Sequence, residues 1–283
     1  MSGVDLHLHS TASDGKLSPE AVVARAASLG LSCIALSDHD TVDGIVPALR
    51  AARDYPALKV IPAVEISTDM PDGQAHVLGY FIDYTSAVLT ESLDRFRNSR
   101  QLRARGMIER LGNLGIDIEW RRVREIAGEG SIGRPHIAQA MMEKHYIETF
   151  KEAFDKYIGH GGPAYVERDK MTPAEAVELI IRSSGLAVLA HPTTVADPEA
   201  LIAGLKAAGL VGIEAYYKDY PPDVVESLVG LSVKYNLIAT GGTDFHGLDD
   251  ATEVMLGGVD VPEAAVTALI ALADKRVLEM AGF

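Results

Sequence analysis

At 283 residues the chain suffices for one large domain or one domain carrying an insertion, and 47% hydrophobic with 23% charged residues is an ordinary globular balance. Its one cysteine, Cys33, excludes a disulfide framework and a thiolate metal site. A net charge of −14, from 40 acidic and 26 basic residues, opposes long nucleic acid at a distance, so an anionic ligand needs a local source of positive charge. The first residues have neither the basic nor the apolar segment of a secretory leader, and no stretch is apolar for long enough to span a bilayer; the expected location is cytoplasmic.

From Val4 to Ser10 apolar and polar residues alternate, the period of a strand. In extended geometry Asp5, His7 and His9 share one face, with the two imidazoles about 6.6 Å apart along it. Val4, Leu6 and Leu8 take the other face. A helix follows, with Ser18 as N-cap and Pro19 in its first turn. The pattern continues as strand over 33–37, helix from Thr41 to about Arg53, and strands over 59–65 and 75–81. Farther on, Thr172-Pro173-Ala174-Glu175 is a capping box opening a helix that stops by Gly185. Next come strand 186–190, a helix opened by Asp197-Pro198, strand 211–216, helix 222–235, strand 237–240 and a last helix over about 263–273. Such alternation predicts an α/β fold with a mostly parallel sheet, and about seven repeats without a dinucleotide glycine fingerprint favour a barrel. Gly241-Gly242 reads as backbone passing close beside a site.

Between about Thr85 and Tyr165 the strand signal gives way to helices. This sets expected boundaries of a barrel in two parts, 1–98 and 166–283, around an inserted all-helical subdomain, 99–165. Nine of the 16 arginines fall within 30 residues here, from Arg95 to Arg124. Leu89, Leu93, Phe96, Met107 and Leu111 trace an apolar stripe, with Arg100 and Arg103 in its gap. The arginines read either as a solvated basic face or as a helical unit turned in part toward an anion.

The remaining histidines and acids recur in one context. His39, Glu65, His191, Asp244 and His246 each lie at or just past the carboxyl end of a predicted strand, and Asp14 lies in the loop after His9. That rim is where barrel enzymes build active sites. His76 instead begins its segment, as it would in a strand of opposite sense. Six histidines (His7, His9, His39, His76, His191, His246) and three carboxylates (Asp14, Glu65, Asp244) thus converge. Nitrogen and oxygen donors without sulfur suit Mn, Fe or Zn better than Mg. Nine donors are too many for one ion and reasonable for two or three sharing a bridging carboxylate.

His7-x-His9, Asp14, Ser37-Asp38-His39-Asp40-Thr41, Glu65, His76, His191-Pro192 and Asp244-x-His246 together resemble the motif set of the PHP (polymerase and histidinol phosphatase) family, along the length of the chain. The resemblance implies a distorted, TIM-like (β/α)7 barrel and a trinuclear metal centre that hydrolyses phosphoesters. It implies that His7, His9, Glu65 and Asp244 hold one ion, that Glu65 bridges to a second held by His76 and His191, and that Asp14, His39 and His246 hold the third. Two or three divalent ions are expected, Mn2+ first and Fe or Zn as alternatives. A metal-bridging water held by Glu65, Asp244 and His191 is then the expected nucleophile for in-line attack on phosphorus. Three such ions against three carboxylates and a hydroxide leave about +2 for a phosphate dianion. Asp5 and Asp40 stand where they would support ligands from behind.

For the substrate, Ser131-Ile132-Gly133-Arg134-Pro135-His136-Ile137-Ala138 resembles a motif of the family branch acting on nucleoside 3′,5′-bisphosphates and short RNA 5′ ends. Gly133 permits close backbone approach, Arg134 can clamp a phosphate through two N–H groups, and His136 can donate to another oxygen. The alternative is a loop leading into a helix over 137–144, with the arginine solvated. Tyr216, Tyr217 and Lys218 share the rim; Lys218 would contact phosphate and a tyrosine would stack on a base, or all are surface residues. The expected partner is a small phosphorylated nucleotide such as pAp, losing its 3′ phosphate, with very short RNA as a further substrate and no membrane or protein partner. Competing readings are a 5′-3′ exoribonuclease, a histidinol-phosphate-type phosphatase, a C–N-cleaving amidohydrolase and a silent binding module. An amidohydrolase often bridges its metals with a carboxylated lysine, a place Glu65 fills here, and a silent module should have lost ligands. His145 and His160 match no ligand and read as surface or structural residues.

Overall fold

Each apolar run read as a strand pairs with the next along the chain. The order is β1 (Val4–Leu8), β2 (Cys33–Leu36), β3 (Lys59–Met70), β4 (Gly73–Tyr80), β5 (Leu186–Leu189), β6 (Gly212–Tyr217) and β7 (Ile238–Gly242). The structure is a computed structural model and describes residues 3–71, 73–128, 132–167, 171–248 and 254–280. It divides into two compact units, one of Met1–Ser92 with Met171–Phe283 and one of Leu93–Lys170.

In the first unit β1 pairs parallel with β2 and β2 with β3, as β5 does with β6 and β6 with β7. β4 runs antiparallel to both β3 and β5, so His76 does sit on a strand of opposite sense. The last strand returns to the first. Leu8 and Phe245 form a parallel bridge, and the His9 N–H donates to the Phe245 carbonyl at 2.9 Å, so the sheet nearly closes into an α/β barrel. β3 and β4 form a direct hairpin whose register pairs Met70 with Gly73, which removes one helix from the regular alternation.

Local chemistry explains the flanking helices. α1 (Pro19–Ser28) is capped by Ser18, which accepts from the Ala21 N–H, and buries Val22, Val23 and Ala26. α2 (Ile45–Ala51) starts later than expected because the Thr41 hydroxyl accepts from the Asp43 N–H and holds a turn there. Strict alternation along β1 is also corrected. Register shifts between Asp5 and Leu8, so Val4 and Leu6 pack in one core with Ala35, Ile61 and Tyr80, whereas Leu8 packs in another with Val22, Val23 and Leu36.

α3 (Ala87–Asn113) carries the chain into the second unit, with α4 (Trp120–Ala127), α5 (Arg134–Glu143) and α6 (Phe150–Ala153), which runs on as a π-helical turn over Phe154–Ile158. Leu89, Leu93, Phe96, Met107 and Leu111 are all buried, as their stripe predicts. Within this unit Met107 and Leu111 share a core with Val123, Ile137 and Met141. Several arginines are engaged at its surface: Arg122 makes two bonds to Glu143, at 2.7 and 2.9 Å, and Arg105 lies over the Trp120 ring at 4.1 Å. The side chains of Arg97 and Arg100, and the whole of Ser131, lie outside the described residues. His145 and His160 are exposed.

Back in the first unit, α7 (Pro173–Arg182) opens on the expected capping box, with the Glu175 N–H on Thr172 Oγ1 at 3.2 Å and the Thr172 N–H on Glu175 Oε2 at 2.7 Å. α8 (Pro198–Ala208), capped by Asp197, and α9 (Pro222–Lys234) flank the later strands, and α10 (Glu263–Met280) extends farther than expected. No described helix is long and apolar enough to cross a membrane.

Candidate metal centre

Parallel strands that share a direction bring their carboxyl ends to one rim, so residues far apart in sequence meet there. His7 is on β1 and His9 just past it; His39 follows β2, His191 follows β5, and Asp244 and His246 follow β7. Glu65 lies within the long β3. The reversed β4 enters the rim where the others leave it, which is why His76 arrives from the start of its strand. All nine expected donors come together in the first unit.

At their centre is the fully buried Glu65. Its Oε2 lies 3.1 Å from His7 Nε2, 3.3 Å from His9 Nε2 and 3.1 Å from His39 Nδ1. Its Oε1 lies 2.9 Å from His76 Nδ1 and 3.1 Å from His191 Nε2. The two oxygens therefore face different sets of imidazoles, the disposition required of a bridging carboxylate. Asp244 Oδ1 joins the Oε2 side, 3.0 Å from His9 Nε2 and 3.4 Å from His7 Nε2. Asp14, on the exposed lip, reaches His246 Nε2 at 3.3 Å. The site thus grades from a dry floor of His7, His9 and Glu65 to a solvated edge.

Among the described residues, donor atoms within 4.8 Å of one another form three groups: His7, His9, Glu65 and Asp244; His9, Asp14, His39 and His246; and His39, Glu65 and His76. The first matches the expected set and the second adds His9 to it. In the third, His39 stands beside Glu65 and His76, while His191 reaches the group through Glu65.

The floor atoms are short of hydrogen bonds. His7 Nε2, both ring nitrogens of His9, His39 Nδ1 and Glu65 Oε2 are buried without a hydrogen-bond partner, although ring nitrogens and carboxylate oxygens stand 3.0 to 3.7 Å from one another here. Buried polar atoms that converge in this way need an explanation, and divalent cations fit the donor chemistry. Electrostatics agree. Burial works against the charge on Glu65, yet the imidazoles of His39, His7 and His76 outweigh it and hold the carboxyl well below its usual range. Burial likewise disfavours protonation of His9, but Asp244 and Glu65 reverse it and push His9 up to about 10. The same contest, with Glu214 the strongest carboxylate, raises His7. For His39 burial prevails and brings it down to about 4. The carboxylates demand positive charge on this floor; protonated imidazoles supply it only by giving up their lone pairs, and divalent ions use those lone pairs.

Around the donors stand supporting residues, two of which, Glu214 and Asp38, the sequence did not single out as such. Glu214, fully buried on β6, lies 3.0 Å from His7 Nδ1 and accepts the His191 N–H at 2.8 Å. Its one signal is an acid in the middle of the apolar run Gly212-Ile213-Glu214-Ala215. Asp38 accepts from the Ser10 N–H and from the hydroxyls of Ser10 and Ser13, fixing the loop that carries Asp14. Asp5 turns away from the cluster and accepts the Thr243 and Gly257 N–H groups at 2.9 and 2.8 Å, which places it as backbone support. Asp40 Oδ1 accepts the Ser67 N–H. Gly241 and Gly242 do mark close approach: a Cβ on Gly242 would lie 2.5 Å from the His7 nitrogen.

Among expected substrate contacts, Lys218 is occupied. Its Nζ lies 3.1 Å from Asp244 Oδ2 and donates to the Asp244 carbonyl at 3.0 Å. Tyr216 is half-buried against the barrel core, and with Tyr217, Lys218 and Tyr220 it lines a cavity of about 580 Å³. In the second unit Arg134 opens α5 with its guanidinium 5.3 Å from the Phe154 ring centre, so the helix begins earlier than 137. The Gly133 N–H donates to His136 Nδ1 at 2.9 Å, which leaves Nε2 as the protonated nitrogen of the neutral ring. Burial holds that ring toward its neutral form.

The chain matches the PHP domain family model over residues 5–184. It is 34% identical over 256 residues to the 5'-3' exoribonuclease Rnm of Salmonella typhimurium, covering 86% of this chain and 84% of that one. It is 32% identical over 261 residues to a 3',5'-nucleoside bisphosphate phosphatase of Chromobacterium violaceum, covering 87% and 88%. A crystal structure assigned as a metal-dependent phosphoesterase of Bifidobacterium adolescentis superposes with a TM-score of 0.76 at 28% identity, over 95% of this chain and 96% of that one.

Proposed function

Because the chain belongs to the PHP family, whose members hydrolyse phosphoesters, we propose that it removes the 3′ phosphate from nucleoside 3′,5′-bisphosphates. The observation that carries this reading is Glu65, one buried carboxylate dividing five imidazoles between its two oxygens. His7, His9, Glu65 and Asp244 would hold one ion, His76, His191 and Glu65 a second, and Asp14, His39 and His246 a third. Bound divalent ions, Mn2+ in the first instance, supply Lewis-acid charge to the phosphoryl oxygens and lower the pKa of water. The buried floor of His7, His9 and Glu65 would keep that charge out of water, where an incoming anion would meet it little screened. The 5′ phosphate is assigned to Arg134 and His136 by chemistry: a planar fork suits two phosphate oxygens, and the His136 Nε2–H is available as a donor.

The bisphosphate reading is supported by the Chromobacterium relative and by the net charge of −14, which disfavours a long polyanion. The Salmonella relative favours a second reading, 5′-3′ hydrolysis of very short RNA. Turnover of pAp and of a 5′-phosphorylated dinucleotide, each with Mn(II) after prior chelation, separates the two. The expected result is a higher kcat/KM on pAp. A higher value on the dinucleotide puts the second reading first, and turnover of neither overturns both.

A further inference from the structure

None of the nine expected donors lies on β6, although its neighbours β5 and β7 lead directly to His191 and to Asp244. Its polar side chains nevertheless reach three of those donors. Glu214 Oε1 stands 3.0 Å from His7 Nδ1 while its Oε2 accepts the His191 N–H at 2.8 Å, so one carboxylate ties together ligands from β1 and from the end of β5. Three residues on, the Tyr217 hydroxyl donates to Asp244 Oδ2 at 2.8 Å, and Lys218 stands on the same oxygen and on the Asp244 carbonyl. With His7 Nδ1–H on Glu214, the ring offers its Nε2 lone pair toward Glu65 and Asp244. With Asp244 Oδ2 occupied, Oδ1 is the oxygen left facing His7 and His9. Both anchored residues have left-handed backbones, φ 25° at His191 and 48° at Asp244, conformations that must be held from outside.

We propose that β6 is the positioning strand of the metal centre, with Glu214 setting the tautomer of His7 and the backbone of His191, and Tyr217 turning Asp244 to present a single oxygen. This rests on the metal-centre reading above. It distinguishes Glu214 from a merely buried acid, because its two oxygens must both accept. Glu214→Gln keeps the volume but offers one accepting oxygen and one NH2 group, so either the His7 tautomer flips or the His191 N–H loses its partner.

The test is Mn(II) binding by calorimetry to chelator-treated full-length protein, alongside the melting temperature of the metal-free form and the visible spectrum of the Co(II)-loaded form. Glu214→Gln is expected to weaken Mn(II) binding about 10- to 100-fold and to alter the Co(II) bands, while the metal-free melting temperature holds. Tyr217→Phe, at a half-exposed position, should fold normally, weaken binding less and also alter the Co(II) bands. Wild-type affinity and spectrum in both variants overturn the proposal, as does an affinity loss that only tracks a fall in metal-free melting temperature. If Glu214→Gln does not fold, Tyr217→Phe decides alone. Wild-type protein that binds no Mn(II) overturns the metal-centre reading itself and this inference with it.

Discussion

A carboxylate buried as deeply as Glu65 keeps its charge only in the company of cations or strong donors. Glu65→Gln preserves its volume and removes the charge that gathers five imidazoles. The expected result is loss of bound metal on elemental analysis and a fall in kcat/KM of more than about 10²-fold, since groups that merely support a ligand already cost that much. Arg134→Ala should reduce kcat/KM for pAp far more than for a generic monophosphate, which has no second phosphate to hold; equal losses on both would remove Arg134 from substrate binding. His9, His39, Glu65, His191, Asp244 and His246 were legible as polar residues at or just past the end of an apolar run, where burial alone gives no reason for them, whereas His7 showed in the alternation of its strand, and Asp14 and His76 by their fit to the family motif set. Glu214 was not: an acid inside a strand looks in sequence like one facing water, and only the closed sheet shows its side chain turned onto His7. Lys218 was read as a phosphate contact or a surface residue, and its partner Asp244 could not be seen because it follows another strand.

At the scale of elements, period and caps placed the strands and most helices, and their ends shifted where side chains compete with backbone, as Thr41 does ahead of α2. The direction of β4 was suggested by one misplaced histidine and is fixed by the short β3–β4 hairpin. The bulge in β1 left no trace in an alternating sequence, because alternation describes the residues and not the register of their neighbours. Two substitutions probe these elements. Thr172→Ala removes one half of the α7 capping box and should cost about 1 kcal/mol in urea denaturation without changing turnover. Gly242→Ala places a methyl group against the His7 backbone, so β1 and β7 must separate. A cost of about 1–3 kcal/mol is expected, accompanied by weaker Mn(II) binding that Thr172→Ala does not show.

For the whole molecule, the charge of the floor predicts stability that depends on pH in opposite senses with and without metal. In metal-free protein His9 is raised to about 10 from an ordinary 6.5, so its contribution is complete below about pH 6.5 and is lost as pH rises through its folded value. With Mn(II), rising pH frees the imidazole lone pairs and strengthens binding. Melting temperatures between pH 6.5 and 8.5 should therefore fall in chelator and rise in excess Mn(II); parallel trends would contradict this account of the cluster. The seam between Leu8 and Phe245 carries a further consequence. The hairpin of β3 and β4 forms between near neighbours in sequence, whereas the seam joins opposite ends of the chain, so it is the costliest loop to close and should close last. An ion shared by His7, His9 and Asp244 would then be a clasp across that loop, comparable to a covalent cross-link, which is worth about 5 kcal/mol when the loop exceeds a hundred residues. Amide exchange at β1 and β7 should slow sharply when the clasp is fastened, while the hairpin barely notices.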